Sequence, residues 1–429
     1  MIKRPFIGFG RPRLKYSTID MMEEKNSIQE IPLPDRVTLL LKNLDINSGD
    51  IILKAGEKIK TGEKIVPVEG DGKYLISTVT GTISSLSEYT GYMGESFTTI
   101  SVDVSSEDEW DNEFSETAAD PSRENALNFF GQLPGCPNFE SFLNFRPPVN
   151  TIIITGMDQD LLIRTNQVTL GHGGDILKKG IDYLKEITHV SKVIIVVPPL
   201  LVPAAEKLGI KTMEVKPLYP NMLPEMIMKN ILGKVVPQGK SCVDMGFGFI
   251  SPEAVISLGN AFETKKLPIH KTVTVIHKDE TASIVRVRIG TPIKNILNVL
   301  GIEIGHGDRL ILGGPLTGTA IYSEELPVTY STDAIMVQDK SQITPASNTH
   351  CINCGECVRA CPAKVPVNML VRLLENGLYE EAATEYDLLS CIECGLCSYV
   401  CLARIPVFHY IMLGKHEFAR IASLEESNA

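Results

Sequence analysis

Hydrophobic and polar positions along this chain follow three successive rhythms. From Arg36 onward, short strand-type runs come one after another: Val37–Leu41, Ile51–Leu53, Lys64–Val68, Leu75–Val79 and Gly81–Ser84. Gly56, Gly62, Gly70, Gly72 and Gly81 punctuate them. Short β-type runs broken by glycine predict a small all-β unit. From about Thr151 the runs become wholly apolar, as in Ile152–Ile154, Lys192–Val197 and Lys211–Val215, with helical stretches at Asp175–Ile187 and Leu201–Leu208 between them. Buried-type strands alternating with helices predict a parallel α/β sheet. A further strand at Ser241–Met245 and a helix at Pro252–Phe262 complete that region. Two alternating runs, Thr272–Ile276 and Ser283–Ile289, then lead to a helix at Pro292–Leu300 and a strand at Arg309–Leu312. Two strands, a helix and a strand fit a small α+β, β-grasp-like unit.

These changes of rhythm predict six segments: an N-terminal extension at 1–35, an all-β unit at 36–105 and an acidic linker at 106–125, followed by an α/β unit at 126–265, an α+β unit at 266–340 and a cysteine-rich helical unit at 341–429. The first 35 residues are mixed and polar, as expected of a segment wrapping over another surface. Glu107, Asp108, Glu109, Asp111, Glu113, Glu116 and Asp120 give the linker the character of a solvated loop.

Composition refines this little. At 429 residues, 43% hydrophobic and 22% charged, the chain is an ordinary globular one. Its net charge of −11 argues against a nucleic-acid partner, which Lys and Arg would have to neutralise. The most apolar run, Val193–Ala205, is cut by Pro198, Pro199 and Pro203 and is far below the ~20 residues a spanning helix needs. Lys3 and Arg4 precede no apolar stretch, so no secretory signal is expected. The expected location is therefore cytoplasmic, free or docked on a membrane complex.

Cysteine usage changes the picture. Of ten cysteines, eight lie between Cys351 and Cys401, and in a reducing compartment such a cluster reads as metal ligands. They form two runs offset by 40 residues: Cys351, Cys354, Cys357 and Cys361, then Cys391, Cys394, Cys397 and Cys401. Each is C-x2-C-x2-C-x3-C, the spacing of bacterial two-cluster ferredoxins. Three thiolates two residues apart on a tight loop can cap three irons of one cubane, with Gly355 and Gly395 relieving backbone crowding. The fourth begins a turn pointing away, towards the neighbouring cluster. Cys351, Cys354, Cys357 and Cys401 are thus expected to hold one [4Fe–4S] cluster, and Cys391, Cys394, Cys397 and Cys361 the other. The alternative is a pair of four-thiolate zinc sites, although zinc usually draws a C-x2-C knuckle from each of two separated places. Between the runs, Asn368 is expected to cap a helix carrying Leu370, Leu373 and Leu374 and ended by Gly377, with a second helix from Glu380 to Leu389.

Other candidates carry less. Cys136 and Cys242 stand alone and read as buried thiols acting as small hydrophobes. Gly171–Gly174 lacks dinucleotide spacing and reads as the opening of a helix. His172, His189, His270, His277 and His306 are scattered and are assigned no ligand role, and His350 reads as an exposed loop residue. Gly313–Gly318 reads as a chain reversal without a ligand. No general acid, base or nucleophile stands out.

With these residues in view, the chain resembles the C subunit of the Rnf ion-translocating electron transport complex, from about Pro32 to Phe418. The two cysteine runs and Ile405-Pro406 carry the resemblance most specifically. Gly313-Gly-Pro-Leu-Thr-Gly318 resembles that family's Gly-Gly-Pro-Met-x-Gly turn. The segment Ala55–Ile65, with Thr80–Ile83, resembles its lipoyl-like barrel-sandwich domain. The resemblance implies a multidomain α/β and α+β fold: a barrel-sandwich hybrid, an α/β domain of FMN/NADH-binding type, a β-grasp (SLBB-like) module and a helical two-[4Fe–4S] ferredoxin domain. It also implies a peripheral iron–sulfur subunit on the cytoplasmic side of the cell membrane. Such a subunit passes electrons between a soluble donor, ferredoxin foremost, and the other redox subunits of the complex. Three departures bear on the flavin. The family's G-x-G-G-A-x-F-P-T loop falls at Phe130–Phe139, where Pro134 and Pro137 stand. N-G-A-E-C-E-P becomes Thr155–Leu161, with Asp158 and Asp160 as its acids, and N-N-V-G-T becomes Val243–Phe247. Tyr219-Pro220 is retained and reads as a turn. Two [4Fe–4S] clusters are therefore expected, and FMN and NAD(H) are not. The alternatives are an FMN-containing, NAD(H)-reacting subunit of the same complex, a soluble reductase such as the cobalamin reductases that share these domains, and an α/β unit serving only as a docking scaffold.

Overall fold

The computed structural model describes residues 12–18, 28–42, 52–68, 73–117, 120–137, 139–144 and 148–428. Strand β1 (Ile28–Glu30) is followed by β2 (Arg36–Lys42), β3 (Lys58–Ile59), β4 (Lys64–Ile65), β5 (Leu75–Ile76), β6 (Gly81–Thr90) and β7 (Ser96–Val104). Antiparallel pairing orders one sheet β2-β7-β6-β3, with β4 and β5 forming a separate pair. Every second residue of β2 points inward, and Val37, Leu39 and Leu41 meet Ile83, Ile100 and Val102 in a shared core. Ile51 lies outside the described residues, and the expected run at Ile52–Leu53 does not pair as a strand.

The acidic stretch carries structure of its own. Asp108 accepts both terminal nitrogens of Arg288 at 2.8 Å and the Thr61 hydroxyl at 2.7 Å, and Phe114 is buried in a short helix, Glu113–Thr117. A second helix, Arg123–Phe129, is capped by Ser122, whose side chain accepts from the Asn125 amide.

Next come β8 (Thr151–Thr155), β9 (Lys192–Val197), β10 (Lys211–Glu214) and β11 (Phe247–Ile250), forming an all-parallel sheet in the order β10-β9-β8-β11. Helices Thr165–Thr188 and Pro252–Thr264 cover one face. They cross so closely that a Cβ on Gly180 would stand 2.0 Å from the Val255 carbonyl oxygen, and one on Gly259 2.6 Å from that of Ile176. The other face buries Ile153, Ile194, Val196, Ile227 and Phe247 together with Cys394 and Leu396, and so joins the sheet to the cysteine-rich unit. Residues 12–18 lie on this side: Lys15 bridges to Leu218, and the Tyr16 ring sits 5.5 Å from that of Tyr219.

One expectation fails in this region and another is extended. Ser241–Met245 is not a strand. The Ser241 amide and hydroxyl both donate to Asp244 at 2.7 Å, closing a local turn that competes with extended pairing, and the strand begins only at Phe247. Gly171–Gly174 is preceded by helical turns from Thr165 that were not expected; the path breaks at Gly174 (φ +45°) and resumes over the expected Asp175–Ile187 stretch.

The remaining strands, β12 (His270–Ile276), β13 (Ala282–Arg288), β14 (Arg309–Leu312), β15 (Thr319–Ile321) and β16 (Ala334–Gln338), form a mixed sheet with β1 in the order β1-β13-β12-β16-β14-β15. Helix Ile293–Val299 packs on it through Ile293, Ile296 and Leu297. Five helices follow: Glu356–Ala360, Val367–Glu375, Tyr379–Thr384, Leu396–Tyr399 and Val407–Asn428. Asn368 does not cap its helix, which starts at Val367; its side-chain amide donates instead to the Asn353 side chain at 2.9 Å, tying the helix to the first cysteine loop. Leu370, Leu373 and Leu374 are buried as expected, and Gly377 (φ +72°) follows the helix end. The second expected helix stops at Thr384, and Asp387 (φ +55°) redirects the chain into a short 3-10 turn, Leu388–Ser390. No helix among the described residues is long and apolar enough to cross a membrane.

Candidate functional site

The two cysteine runs repeat each other in backbone as well as in sequence. Positive φ recurs at matching positions 40 residues apart: Asn353 and Glu393 (both +54°), Gly355 (+74°) and Gly395 (+68°), Lys364 (+63°) and Arg404 (+58°). Each glycine forms the N-cap of the short helix that carries the third cysteine of its run. The left-handed conformation turns the loop sharply enough for its thiols to face a common space, and glycine adopts it without strain.

One cavity gathers Cys351, Cys354, Cys357 and Cys401 against apolar Val371 and Ile405. Three thiols come from the first run and the fourth from the end of the second. Burial pushes the Cys357 thiol up to about 11, and Cys351, Cys354 and Cys401 press in the same direction. The second group lies deeper, with Cys394 and Cys397 each only 8% exposed. Burial raises Cys394 to about 12, with Cys391 and Cys361 as its thiol neighbours, and raises Cys397 well above its usual range. Buried thiols deprotonate most readily onto a positively charged metal core. Among the described residues, no three His, Cys, Asp or Glu side chains converge to hold a single ion. Four thiols lining one cavity are a donor set that fits an iron–sulfur cluster.

Three contacts from outside the runs fix the second loop and the Cys361 end of the first. The Tyr219 hydroxyl donates to the Cys394 carbonyl at 2.6 Å, Lys415 donates to the Cys391 carbonyl at 2.7 Å, and Lys229 donates to the Pro362 carbonyl at 3.2 Å. Gly313–Gly318 does reverse the chain, between β14 and β15, and it also links two sites. Asp160 accepts from the Thr317 amide and hydroxyl, both at 2.8 Å, and from the Leu316 amide at 3.1 Å. The Leu316 carbonyl oxygen in turn presses on Gly395.

Asp160 also lines a cavity of about 460 Å³ at the carboxyl ends of β8 and β11, where open parallel sheets hold their ligands. Two of the three departing segments meet here, through Gly135 and Cys136 and through Thr155–Asp160. The third does not. Val243–Phe247 lies at the opposite end of β11, and the cavity wall is formed by Phe249, Ile250 and Ser251 instead. Cys136 is not the buried hydrophobe expected of it: at φ +46°, between two prolines, it is exposed and lines this cavity. Cys242 is buried as expected, and burial raises its thiol to about 12. His350 is exposed beside Cys351, and His277 bonds Ser283 away from both cysteine groups. Sequence patterns gave no signal for Tyr219, Lys229 or Lys415 as loop supports.

Residues 350–405 match the family model of the 4Fe-4S dicluster domain. Over most of its length the chain is similar to curated proteins. It is 23% identical over 382 residues to the C subunit of the proton-translocating ferredoxin:NAD(+) oxidoreductase complex of Clostridium ljungdahlii, covering 84% of this chain and 83% of that one. It is 22% identical over 367 residues to the C subunit of the ion-translocating oxidoreductase complex of Pectobacterium carotovorum, covering 79% and 48%. It is 25% identical over 393 residues to the protein of that description in Haemophilus influenzae, covering 85% and 46%. The chain thus spans about half the length of the latter two. A crystal structure of an NAD+-reducing [NiFe]-hydrogenase in the H2-reduced state aligns with a TM-score of 0.45 at 14% identity, covering 69% of this chain and 62% of that one. The resemblance to the C subunit of ion-translocating complexes holds across most of the chain, with iron–sulfur electron transport as its common character.

Proposed function

We propose that this chain, whose relatives are C subunits of ion-translocating oxidoreductase complexes, is their peripheral iron–sulfur subunit, on the cytoplasmic side of the membrane. It exchanges electrons between ferredoxin, or another soluble donor, and the other redox subunits. Cys351, Cys354, Cys357 and Cys401 hold one [4Fe–4S] cluster; Cys391, Cys394, Cys397 and Cys361 hold the other. When bound, the clusters supply one-electron transfer without proton chemistry. The protein's part is to hold and insulate. Leu370, Leu374, Leu388 and Ile411 pack around the thiols and exclude water. Tyr219 and Lys415 fix the deeper loop, and Lys229 fixes the Cys361 end of the first run. The segments at 36–105, 126–265 and 266–340 then serve as barrel-sandwich, α/β and β-grasp units that carry the dicluster unit at 341–429.

The observation that carries this reading is the shared cavity in which Cys401 joins three thiols of the other run. A second part of the reading is that the sheet-edge cavity holds neither FMN nor NAD(H). A flavin phosphate needs backbone N–H groups free to face it. In the segment where the family has its flavin loop, those groups are already used: Gly131 donates to the Tyr74 hydroxyl, Gly135 to the Tyr330 carbonyl and Cys136 to the Leu133 carbonyl. No Lys, Arg or His lines the cavity among the described residues. The residues present do not suit the flavin. The test is the cofactor content of anaerobically prepared protein: about eight irons and eight sulfides per chain follow from two cubanes, with no flavin released on denaturation. Zinc in place of iron and sulfide defeats the cluster assignment. Released flavin, or bleaching of the clusters by NADH as fast as by dithionite, defeats the second part.

A further inference from the structure

We propose that the cavity at the carboxyl edge of the parallel sheet binds a small organic cation, whose protonated nitrogen is anchored by Asp158. The cavity, about 460 Å³, falls within the size range of small-molecule sites. Asp158 is 2% exposed and lines it. One carboxylate oxygen, Oδ1, accepts from the Asn166 amide at 2.9 Å, while the other, Oδ2, is buried with no hydrogen-bond partner. A buried acceptor left in this state is suited to a donor brought by a ligand.

The surroundings decide the charge of that ligand. Asp158, Asp160 and Asp333 all line the cavity, and no Lys, Arg or His does so among the described residues. Asp160 is already occupied by Thr317, Leu316 and Leu161. Lys271 is wholly buried and is shared between Glu253 and Asp333. Nothing on the wall neutralises an anion, whereas a cation meets one unpaired acceptor and a half-exposed carboxylate, Asp333. A bare metal ion fits poorly, because no three candidate ligands converge among the described residues. Ile163, Phe249, Ile250 and Leu312 supply apolar wall for the body of the ligand.

This inference rests on the cavity being free of flavin, and the two fail separately: flavin released on denaturation refutes the function reading. With flavin-free, cluster-loaded protein, a charge series of similar size tests the inference alone. Cys136, exposed on the cavity wall, is the reporter, its alkylation by iodoacetamide followed by peptide mass spectrometry under anaerobic conditions. At pH 8, where the Asp158 carboxyl is ionised, benzamidine is expected to slow that alkylation several-fold, while benzamide, benzoate and inorganic phosphate leave it unchanged. Asp158→Asn is expected to remove the protection without altering cluster absorbance. Should that variant fail to fold, the wild-type charge series decides alone. Protection by benzoate or phosphate, equal protection by benzamide, protection by Mg2+ alone, protection that survives in a folded Asp158→Asn protein, or no protection by benzamidine each overturns the proposal.

Discussion

Alanine at the two loop glycines should have very different consequences, although Gly355 and Gly395 occupy the same place in the two repeats. Both are left-handed, at φ +74° and +68°. A non-glycine residue there costs about 1–2 kcal/mol from backbone sterics alone. At Gly355 little is added, since the nearest atom to a new Cβ is a nitrogen of the exposed Arg359 guanidinium, at 3.4 Å. At Gly395 the Cβ would fall 2.3 Å from the Leu316 carbonyl oxygen, and that backbone is pinned by three hydrogen bonds to Asp160. Relief needs a shift of roughly 1 Å. Loosening even two of the charged hydrogen bonds costs ~3 kcal/mol or more. Gly395→Ala should therefore lose about 4 kcal/mol or more, and with it the integrity of the second loop. The assay is iron content and visible absorbance after anaerobic preparation, followed by loss of absorbance in a urea series. Gly355→Ala should keep both clusters, whereas Gly395→Ala should be depleted in iron. Asp160→Asn frees the Leu316 turn and should shrink the Gly395→Ala penalty, a coupling that a double-mutant cycle can measure. Equal losses at the two glycines, or a penalty unchanged by Asp160→Asn, would refute the reasoning.

Cys401→Ser should perturb the same EPR signal as Cys351→Ser; a match to Cys391→Ser instead would mean that each run serves its own cluster. Lys271→Met leaves Glu253 buried without its partner and should destabilise the protein by about 3–5 kcal/mol, read as a lowered urea midpoint, while adding Glu253→Gln should recover part of the loss. Burial raises the Asp158 carboxyl from 3.8 to about 7, with Asp333 raising and Lys271 lowering it further. The folded protein therefore binds this proton more tightly than the unfolded chain, and the stability it contributes is full below pH 3.8 and lost as pH rises to about 7. Melting temperature should thus fall across that window relative to Asp158→Asn; parallel profiles would count against the shift.

The parts of this molecule that could be read from sequence are those governed by short-range rules. The cysteine spacing marked the dicluster unit at 350–405, and alternation in Val37–Leu41 and uniform apolarity in Ile152–Ile154 marked their strands. Expectations failed where a side chain rewrote the local rule. Ser241 and Asp244 closed a turn inside an apolar run, and Gly174 interrupted a helix whose first turn held no recognisable cap. The sheet-edge cavity was out of reach for a different reason. Asp158, Asn166, Cys136 and Asp333 come from four segments, and nothing in their spacing announces that one oxygen of Asp158 is left alone. Gly313–Gly318 was legible as a reversal, but what it leans on is visible only in three dimensions.

On the proposed ligation, the exchange of fourth cysteines makes the C-terminal unit two interlocked half-modules, each finished by the other. Neither loop can be completed early, because Cys401 joins the first group only after the whole second run has been synthesised. Assembly must therefore be concerted: iron delivered to a chain ending near residue 390 would find one triplet of thiols and a stray Cys361. The same interlock removes any graded route to a one-cluster descendant, since deleting either run strips a ligand from the one that remains. Damage also spreads in this way. An oxidant that reaches the shallower group, beside the exposed Ile352, and detaches Cys401 also releases the end of the loop that carries the deeper one. On that ligation the unit is a single redox element with two centres, to be kept or lost whole.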